Sequence, residues 1–563
     1  MKKYKLLGLL ILPFLFGSCD DFLTFEPQGK LASDTYMNNQ DNAENATTAM
    51  YSLLRQSSGT MAGVYADNHY ELFMGSVASD DADEGGVPGD RADWTQFSLY
   101  TTDVTNPAAQ GFYAHGVFGV SICNYVLNYL ADVTWDDNRK KTMEGEAHFM
   151  KAYYYFYLLR HFGGMPIFRE PVELPDFGNV DRATYTETVD YILEELQLAI
   201  NLLPEKSQWG SGGIGRATKG AARAYAARVM MFRLGIDPGS HQTTWQNVYD
   251  QTSAIINSNE YRLHSNYAHL HDEYLGINTV ESVFEVQVTG GSGGTSIQMF
   301  TMQAIRTEPS IPGAQVGWGF HNLTQDLHNA FDDTDPRKSC TLIGVGYNDQ
   351  TLFGLTRRMD RSWQETNFHS RKAALDRNPS PVSGKQWPLM RYADVLLMHA
   401  EACANLNKEQ EARDYLNQVR ERARNSSYCR GFELGDPTGF PMPASTPNLP
   451  DITASGEALM QAIWDERRVE FGGEDLRTYD LIRTGRLADR VELVKDFQRD
   501  SSNPLFLETS VNGGDREVRR PGIRENIIRS SIPGRNGWPI PLLPLPVNEV
   551  SFWNLKGNPN NDL

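Results

Sequence analysis

Apolar positions recur at helical spacing in a succession of stretches along this chain of 563 residues. The first runs from about Asp41 to Arg55, and a second from Phe112 to Leu130. The third, Glu144 to Arg160, is apolar round most of a helix circumference, and Gly163-Gly164-Met165-Pro166 supplies a glycine-then-proline stop. A helix of that kind has to be buried among others. Tyr185 to Leu203 reads as its antiparallel neighbour. Arg216 to Leu234 follows, with Ala221, Ala222, Ala224, Ala226 and Ala227 small enough for close packing, and then Gln242 to Ile256. Tyr392 to Leu406 and Glu409 to Arg424 form a later helix-turn-helix pair across a short polar link.

A different texture lies between these stretches. Residues 59–106 carry repeated Gly and Pro among Asp80, Asp81, Asp83 and Glu84, and read as one long loop holding Tyr65, Tyr70, Arg91 and Trp94. Ser282 to Val288 alternates like a strand and is broken by Gly290-Gly291-Ser292-Gly293-Gly294. Residues 305–390 are rich in Gly, Pro and Asp, with a short helix predicted from Thr324 to Phe331. The tail from Asn503 to Leu563 is irregular. The pattern predicts a mainly α protein. Irregular helix pairs of a tetratricopeptide-like kind, without a strict 34-residue period, carry a loop-rich subdomain built from residues 260–390 and the tail.

The first residues change the compartment. Lys2, Lys3 and Lys5 precede an uncharged run from Leu6 to Phe16, the length of a secretory signal core and too short to cross a bilayer as a helix. Gly17 and Ser18 then lead to Cys19, so the segment resembles a lipoprotein signal in which residues 1–18 are removed and Cys19 carries the lipid. The chain is then expected to be anchored to a membrane without spanning it. Loss of three Lys and no acid would take the formal charge from −19 to −22. So acidic a body argues against nucleic acid as partner, which needs a basic face. Cys123, Cys340, Cys403 and Cys429 are scattered without a CxxC pair. They read first as small buried hydrophobes, with a disulfide as the alternative.

Two glycine-rich matches carry little chemistry. Gly210 to Gly215 fits GxGxxG but follows a helix instead of a strand, and Gly290 to Gly294 fits GxSxG only through a run of glycines. The charges of Asp465, Glu466, Arg467, Arg468, Glu470, Arg477, Asp480 and Arg483 mix both signs at helical spacing. Arginines beside those carboxylates would hold them ionised, which suits a structural ion network better than the acid-base pair of a glycosidase. Glu146, Arg391 and Glu401 are expected in similar networks. The acidic stretch Asp80 to Glu84 reads as a solvated surface, and only in second place as oxygen ligands for a calcium ion, since it lacks the spacing of a known loop.

Aromatic residues among glycines offer a different chemistry. Flat rings stack on the C–H faces of sugars while Asn, Asp, Arg or Gln meet the hydroxyls. Arg91 with Trp94, Trp318 with Phe320, and Trp363 offer that combination and are the candidate ligand-binding residues. Trp209, Trp245, Trp464 and Trp553 are expected to pack.

Five landmarks together resemble the SusD/RagB family of Bacteroidetes lipoproteins: Glu144 to Pro166, Gly215 to Ala222, Arg391 to Ala402, Asp465 to Phe471 with Arg477 to Arg483, and Trp538 to Pro541 with Asn558-Pro559. Asp20 and Asp21 after Cys19 resemble the surface-export signal of such lipoproteins. Glu474-Asp475-Leu476-Arg477 lacks the glycine usual there. The resemblance implies an N-terminal helical region over 19–260 and a C-terminal region over 261–563. It implies an outer-membrane lipoprotein facing the exterior, set as a lid on a SusC-type TonB-dependent transporter. It would capture a glycan without catalysis and with no cofactor. Peptide capture, as in relatives of the RagB type, is the alternative, and a surface glycoside hydrolase the alternative of another class.

Overall fold

The computed structural model describes residues 36–547 and 549, apart from 56–57, 62–63, 68–72, 87–89, 132, 173–179, 237–240, 292–293, 305–316, 345–349, 353–354, 358–365, 367, 375–382, 430–447 and 496–541. The signal segment, Cys19, Trp363 and Trp553 lie outside them. Fifteen α-helices are found among the described residues: α1 Gln40–Ser52, α2 Ala92–Leu99, α3 Pro107–Leu130, α4 Asp137–Phe162, α5 Tyr185–Leu202, α6 Lys219–Ile236, α7 Trp245–Ser258, α8 Met299–Gln303, α9 Gln325–Ala330, α10 Pro336–Thr341, α11 Tyr392–Asn405, α12 Glu409–Arg424, α13 Gly456–Phe471, α14 Arg477–Arg483 and α15 Leu487–Lys495. None of them is long and apolar enough to cross a membrane.

The mainly α architecture follows from α4. Asp136 caps it by accepting from the backbone N–H groups of Asn138 and Arg139, and Gly163, at φ +80°, ends it. The helix thus starts seven residues before the apolar run that marks it in the sequence, because a polar capped turn precedes the buried part. Every residue from Phe149 to Phe162 is buried. Helix α3 comes close enough to α4 that a Cβ on Gly119 would lie 2.5 Å from the Tyr154 ring, and one on Gly116 equally close to Leu158. Glycine is required there to bring the two helices together. On the other side of α4, helix α5 begins with a reciprocal Thr184–Glu187 capping box. Among the packed helices Cys123, Cys340 and Cys403 are buried, and they and Cys429 are free thiols.

The stretch 59–106 is not one long loop. It contains a hairpin of β1 Ser58–Met61 and β2 Val64–Asp67, then β3 Ala82–Gly85, then α2. Strand β3 is the edge of an antiparallel sheet in the order β3, β5 (Phe320–Leu323), β9 (Phe368–Ser370), β6 (Leu342–Gly344). Local periodicity could not announce β3, since its partner β5 lies more than two hundred residues further on. Strands β7 Gln350–Leu352 and β8 Leu355–Arg357 form a second hairpin. The predicted strand at 282 is β4 Ser282–Val286, paired antiparallel with β10 Trp387–Arg391. Its Phe284 packs edge-on against Phe149 at 4.9 Å and thereby locks this ladder onto α4.

Glu285 on β4 is 3% exposed, and burial pushes its carboxyl up to about 7. Its Oε1 accepts from the Asn278 N–H at 3.0 Å. A group that folding makes more basic contributes stability in full below its ordinary value of 4.5 and loses it as pH rises through about 7. Glu285→Gln is therefore expected to stabilise the protein by about 1–3 kcal/mol at alkaline pH and by nothing near pH 4. Urea unfolding of both proteins at the two pH values checks the sign.

Candidate functional site

The ion network expected around α13 is present and extends further than the sequence suggests. Arg391 Nη1 donates to Glu281 Oε1 at 2.6 Å and Glu470 Oε1 at 2.8 Å, while its Nε and Nη2 hold Glu474 at 2.8 Å each. Arg337 binds Asp335, Glu466 and Glu470, and Arg422 binds Glu281 and Glu470. Burial works to raise Glu470, but the guanidiniums of Arg422, Arg391 and Arg337 outweigh it and hold the carboxyl at about 2. Arg483 bridges Glu401, and Arg139 and Arg216 bridge Glu146. A carboxyl held so low is a poor proton donor near neutral pH, and these pairings join distant segments.

The acidic stretch after residue 79 belongs to the same class, which corrects its reading as a solvated surface or calcium loop. Asp80 is buried and accepts from Arg477 Nε and Nη2 at 2.8 Å and from Arg490 Nε at 2.7 Å. Asp81 Oδ1 accepts from Arg468 Nε at 2.8 Å. Guanidiniums thus occupy Asp80 and Asp81, and Glu84 Oε2 accepts from the Thr95 hydroxyl at 2.6 Å. The partners come from α13, α14 and α15, between 387 and 410 residues away in sequence, so nothing local distinguishes this stretch from an exposed acidic turn.

Four of the five residues expected to bind ligand converge beside this point. Strand β3 pairs with β5 so that Gly85 lies opposite Phe320. The Phe320 ring meets Trp94 edge-on at 4.9 Å, and the Arg91 guanidinium lies 3.6 Å from the Trp94 ring centre. Arg91 is also held by Asp93 through two hydrogen bonds of 2.9 and 2.7 Å. Trp94 sits on α2, not on a loop, and is 1% exposed. Phe320 is buried as well. These two rings form a packed pedestal and present no open face, which removes them as stacking surfaces. Their burial comes from the β3–β5 pairing, which neither segment reveals alone.

Trp318 is placed differently, with 40% of its surface exposed. The backbone on either side is fixed. Trp318 N–H donates to Thr301 O at 3.0 Å, Gly319 N–H to Ala304 O at 3.1 Å, and Gly319 O accepts from Gly86 N–H at 3.1 Å. Gly319 has φ +76°, and a Cβ on Gly317 would lie 2.1 Å from Ala304 O. Both glycines are thus required, and they hold an indole ring outward on a rigid support. Asp90, exposed, and Arg91 and Asp93, partly exposed, stand beside the pedestal. An open aromatic face can stack on the apolar face of a sugar ring while polar groups meet its hydroxyls.

A second cleft, about 980 Å³ with its open mouth included, was not legible in the sequence. Asn266, His269, Asp272, Arg371, Tyr428 and Cys429 line parts of it. They arrive from three distant segments without a shared motif. Exposed Tyr274 and Leu275 were the local signal, apolar residues left outside a helical pattern. Among the described residues one trio, His399, Cys403 and Glu411, gathers potential metal-ligand atoms.

Comparison with known proteins bears on family and fold. Residues 280–551 match the family model described as SusD family, and residues 35–231 match one described as starch-binding associating with outer membrane. The chain is 25% identical over 506 residues to a SusD-like protein of Formosa agariphila, covering 86% of this chain and 91% of that one. The fold is similar to that of surface glycan-binding protein A from Bacteroides uniformis, with TM-score 0.69 and 19% identity over 93% of this chain and 100% of that one. It is also similar to surface glycan-binding protein A from Bacteroides thetaiotaomicron in complex with laminarihexaose, with TM-score 0.67 and 20% identity over 92% and 99% of the two chains.

Proposed function

Since the chain belongs to the SusD family, we propose that it is a surface glycan-binding protein that holds an oligosaccharide on the Trp318 face and passes it to a SusC-type transporter. Cys19 would carry the lipid that anchors it to the outer membrane, with the body facing outward. The observation that carries the reading is the Trp318 ring, exposed on a backbone pinned from both sides. Such a platform offers stacking area with little ordering left to do on binding. The bound hexasaccharide in a similar fold supports a glycan as the ligand class.

Binding without turnover fits the carboxylates. A glycosidase needs one carboxylic acid held neutral and one carboxylate, flanking the same bond. Glu466, Glu470 and Asp80 are buried and paired to guanidiniums, while exposed Asp465 accepts from Gln461. Beside the pedestal, Asp93 is held by Arg91. Glu285, the carboxyl raised to about 7, is buried in a strand pair away from solvent.

Calorimetry of the purified chain against laminarin, laminarihexaose, other plant, host and microbial glycans, and mixed peptides tests the reading. Heat from one glycan class, with the glycan recovered intact, is expected. Heat from peptides alone would replace it by peptide capture, and shortened glycan products would overturn the non-catalytic reading.

A further inference from the structure

Three helices meet at a cluster that glycan binding does not use. His399 and Cys403 lie one turn apart on α11, Glu411 is the third residue of α12, and Tyr249 and Thr252 face them from α7. A His399 ring nitrogen, the Cys403 sulfur and a Glu411 carboxylate oxygen all lie within 4.8 Å of one another. His399 and Cys403 are buried, whereas the Glu411 side chain is 34% exposed, so the cluster reaches solvent along one edge.

The hydrogen bonds determine which atoms face each other. Thr252 Oγ1 donates its one proton to a backbone carbonyl of its own helix, Val248 O at 2.9 Å or Tyr249 O at 3.1 Å. The same hydroxyl lies 2.8 Å from His399 Nδ1, and the Nδ1–H tautomer of the neutral imidazole leaves a lone pair on Nε2. Nε2 in turn faces Glu411 Oε1 at 3.2 Å, and this oxygen already accepts the Tyr249 hydroxyl at 3.0 Å. A cation bound between them would take a lone pair from each.

We propose that His399 Nε2, Glu411 Oε1 and Cys403 Sγ bind a zinc-class divalent cation, with water in the fourth position on the exposed edge. Metal bonds of about 2.0–2.1 Å to nitrogen and oxygen, closing the 3.2 Å edge, subtend an angle of about 100°, near tetrahedral. A thiolate with imidazole and one carboxylate selects such an ion over calcium or magnesium, which take oxygen ligands. The His399–Thr252 hydrogen bond is the outer contact that orients a metal-binding imidazole. Tyr249 and Tyr415 hold the ring between them at centroid distances of 4.7 and 4.6 Å. Lys408, 3.8 Å from Glu411 Oε2, takes the outer carboxylate oxygen and leaves Oε1 to the ion. On binding, the Cys403 S–H bond breaks, the sulfur keeps the electron pair and donates it to the ion, and the proton leaves to solvent.

Cobalt(II) titration of the purified, chelator-stripped chain tests this, because a cobalt-thiolate bond gives a charge-transfer absorption and a tetrahedral ion gives intense visible bands. One equivalent is expected to bind, to be displaced by zinc, and to protect Cys403 from alkylation as read by peptide mass spectrometry. Thr252→Val is expected to weaken the site by roughly 10–100-fold. Cys403→Ser should abolish the charge-transfer band while the metal-free circular dichroism stays that of the parent. Absence of the band in the parent protein, or alkylation of Cys403 unchanged by zinc, would overturn the proposal even if a variant failed to fold.

Discussion

Arg391→Met is expected to cost at least about 3–5 kcal/mol of folding stability, enough to leave much of the chain unfolded at ambient temperature. The guanidinium touches three buried carboxylates from two distant parts of the chain: Glu281 before β4, and Glu470 at the end of α13 with Glu474 in the turn beyond it. Nη2 also donates to Glu470 O at 3.1 Å. Methionine fills most of the volume but leaves these acceptors without their shared donor in a low-dielectric interior. Arg422, Arg337 and Lys372 remain and limit the loss. Urea unfolding followed by circular dichroism measures it. In the parent protein Glu470 and Glu474 are both held below the ordinary carboxylate value of 4.5, Glu470 at about 2. Their contribution is present above about 4.5 and is lost as pH falls toward 2. The difference between parent and variant should shrink over that window. A variant within about 1 kcal/mol of the parent at neutral pH would mean that the network is dispensable to the fold.

Trp318→Ala is expected to weaken glycan binding at least about tenfold, corresponding to about 1.4 kcal/mol or more, while leaving the thermal midpoint almost unchanged. Both halves follow from geometry. The ring is 40% exposed, so its removal opens no cavity in the core, and its backbone is held by hydrogen bonds that the substitution leaves in place. Calorimetry with the glycan identified by the screen, alongside a thermal melt, reads the two effects separately. Unchanged affinity with an unchanged melt would remove Trp318 from the site and turn attention to the cleft between Asn266 and Tyr428.

Features governed by neighbours in sequence were legible from it. The all-round apolar stretch of α4 announced its own burial, and the helices on either side were found with ends within a few residues. Alternation marked β4. Mixed charge at helical spacing marked the ion network of α13, although its carboxylates pair with Arg337, Arg391 and Arg422 and its arginines with Asp81 and Asp394, all from other segments. Spacing also put His399 and Cys403 on one face of α11, although nothing in it revealed that Thr252 and Glu411 would meet the two ring nitrogens of His399.

Tertiary structure alone decided the rest, and the reason is burial. Asp80 and Asp81 have the same local sequence whether they face water or arginine, and α13, α14 and α15 supply the arginines. Trp94 and Trp318 both lie among glycines and polar residues, and both read as exposed rings. Pairing of β3 with β5 packs Phe320 onto Trp94 and leaves Trp318 at 40% exposure. By itself the sequence determined which segments must be helices, which of them must be buried, and which family's landmarks the chain carries. Which charges lose their water and which aromatic faces keep theirs depends on strand and helix contacts across hundreds of residues, and only the folded chain contains those.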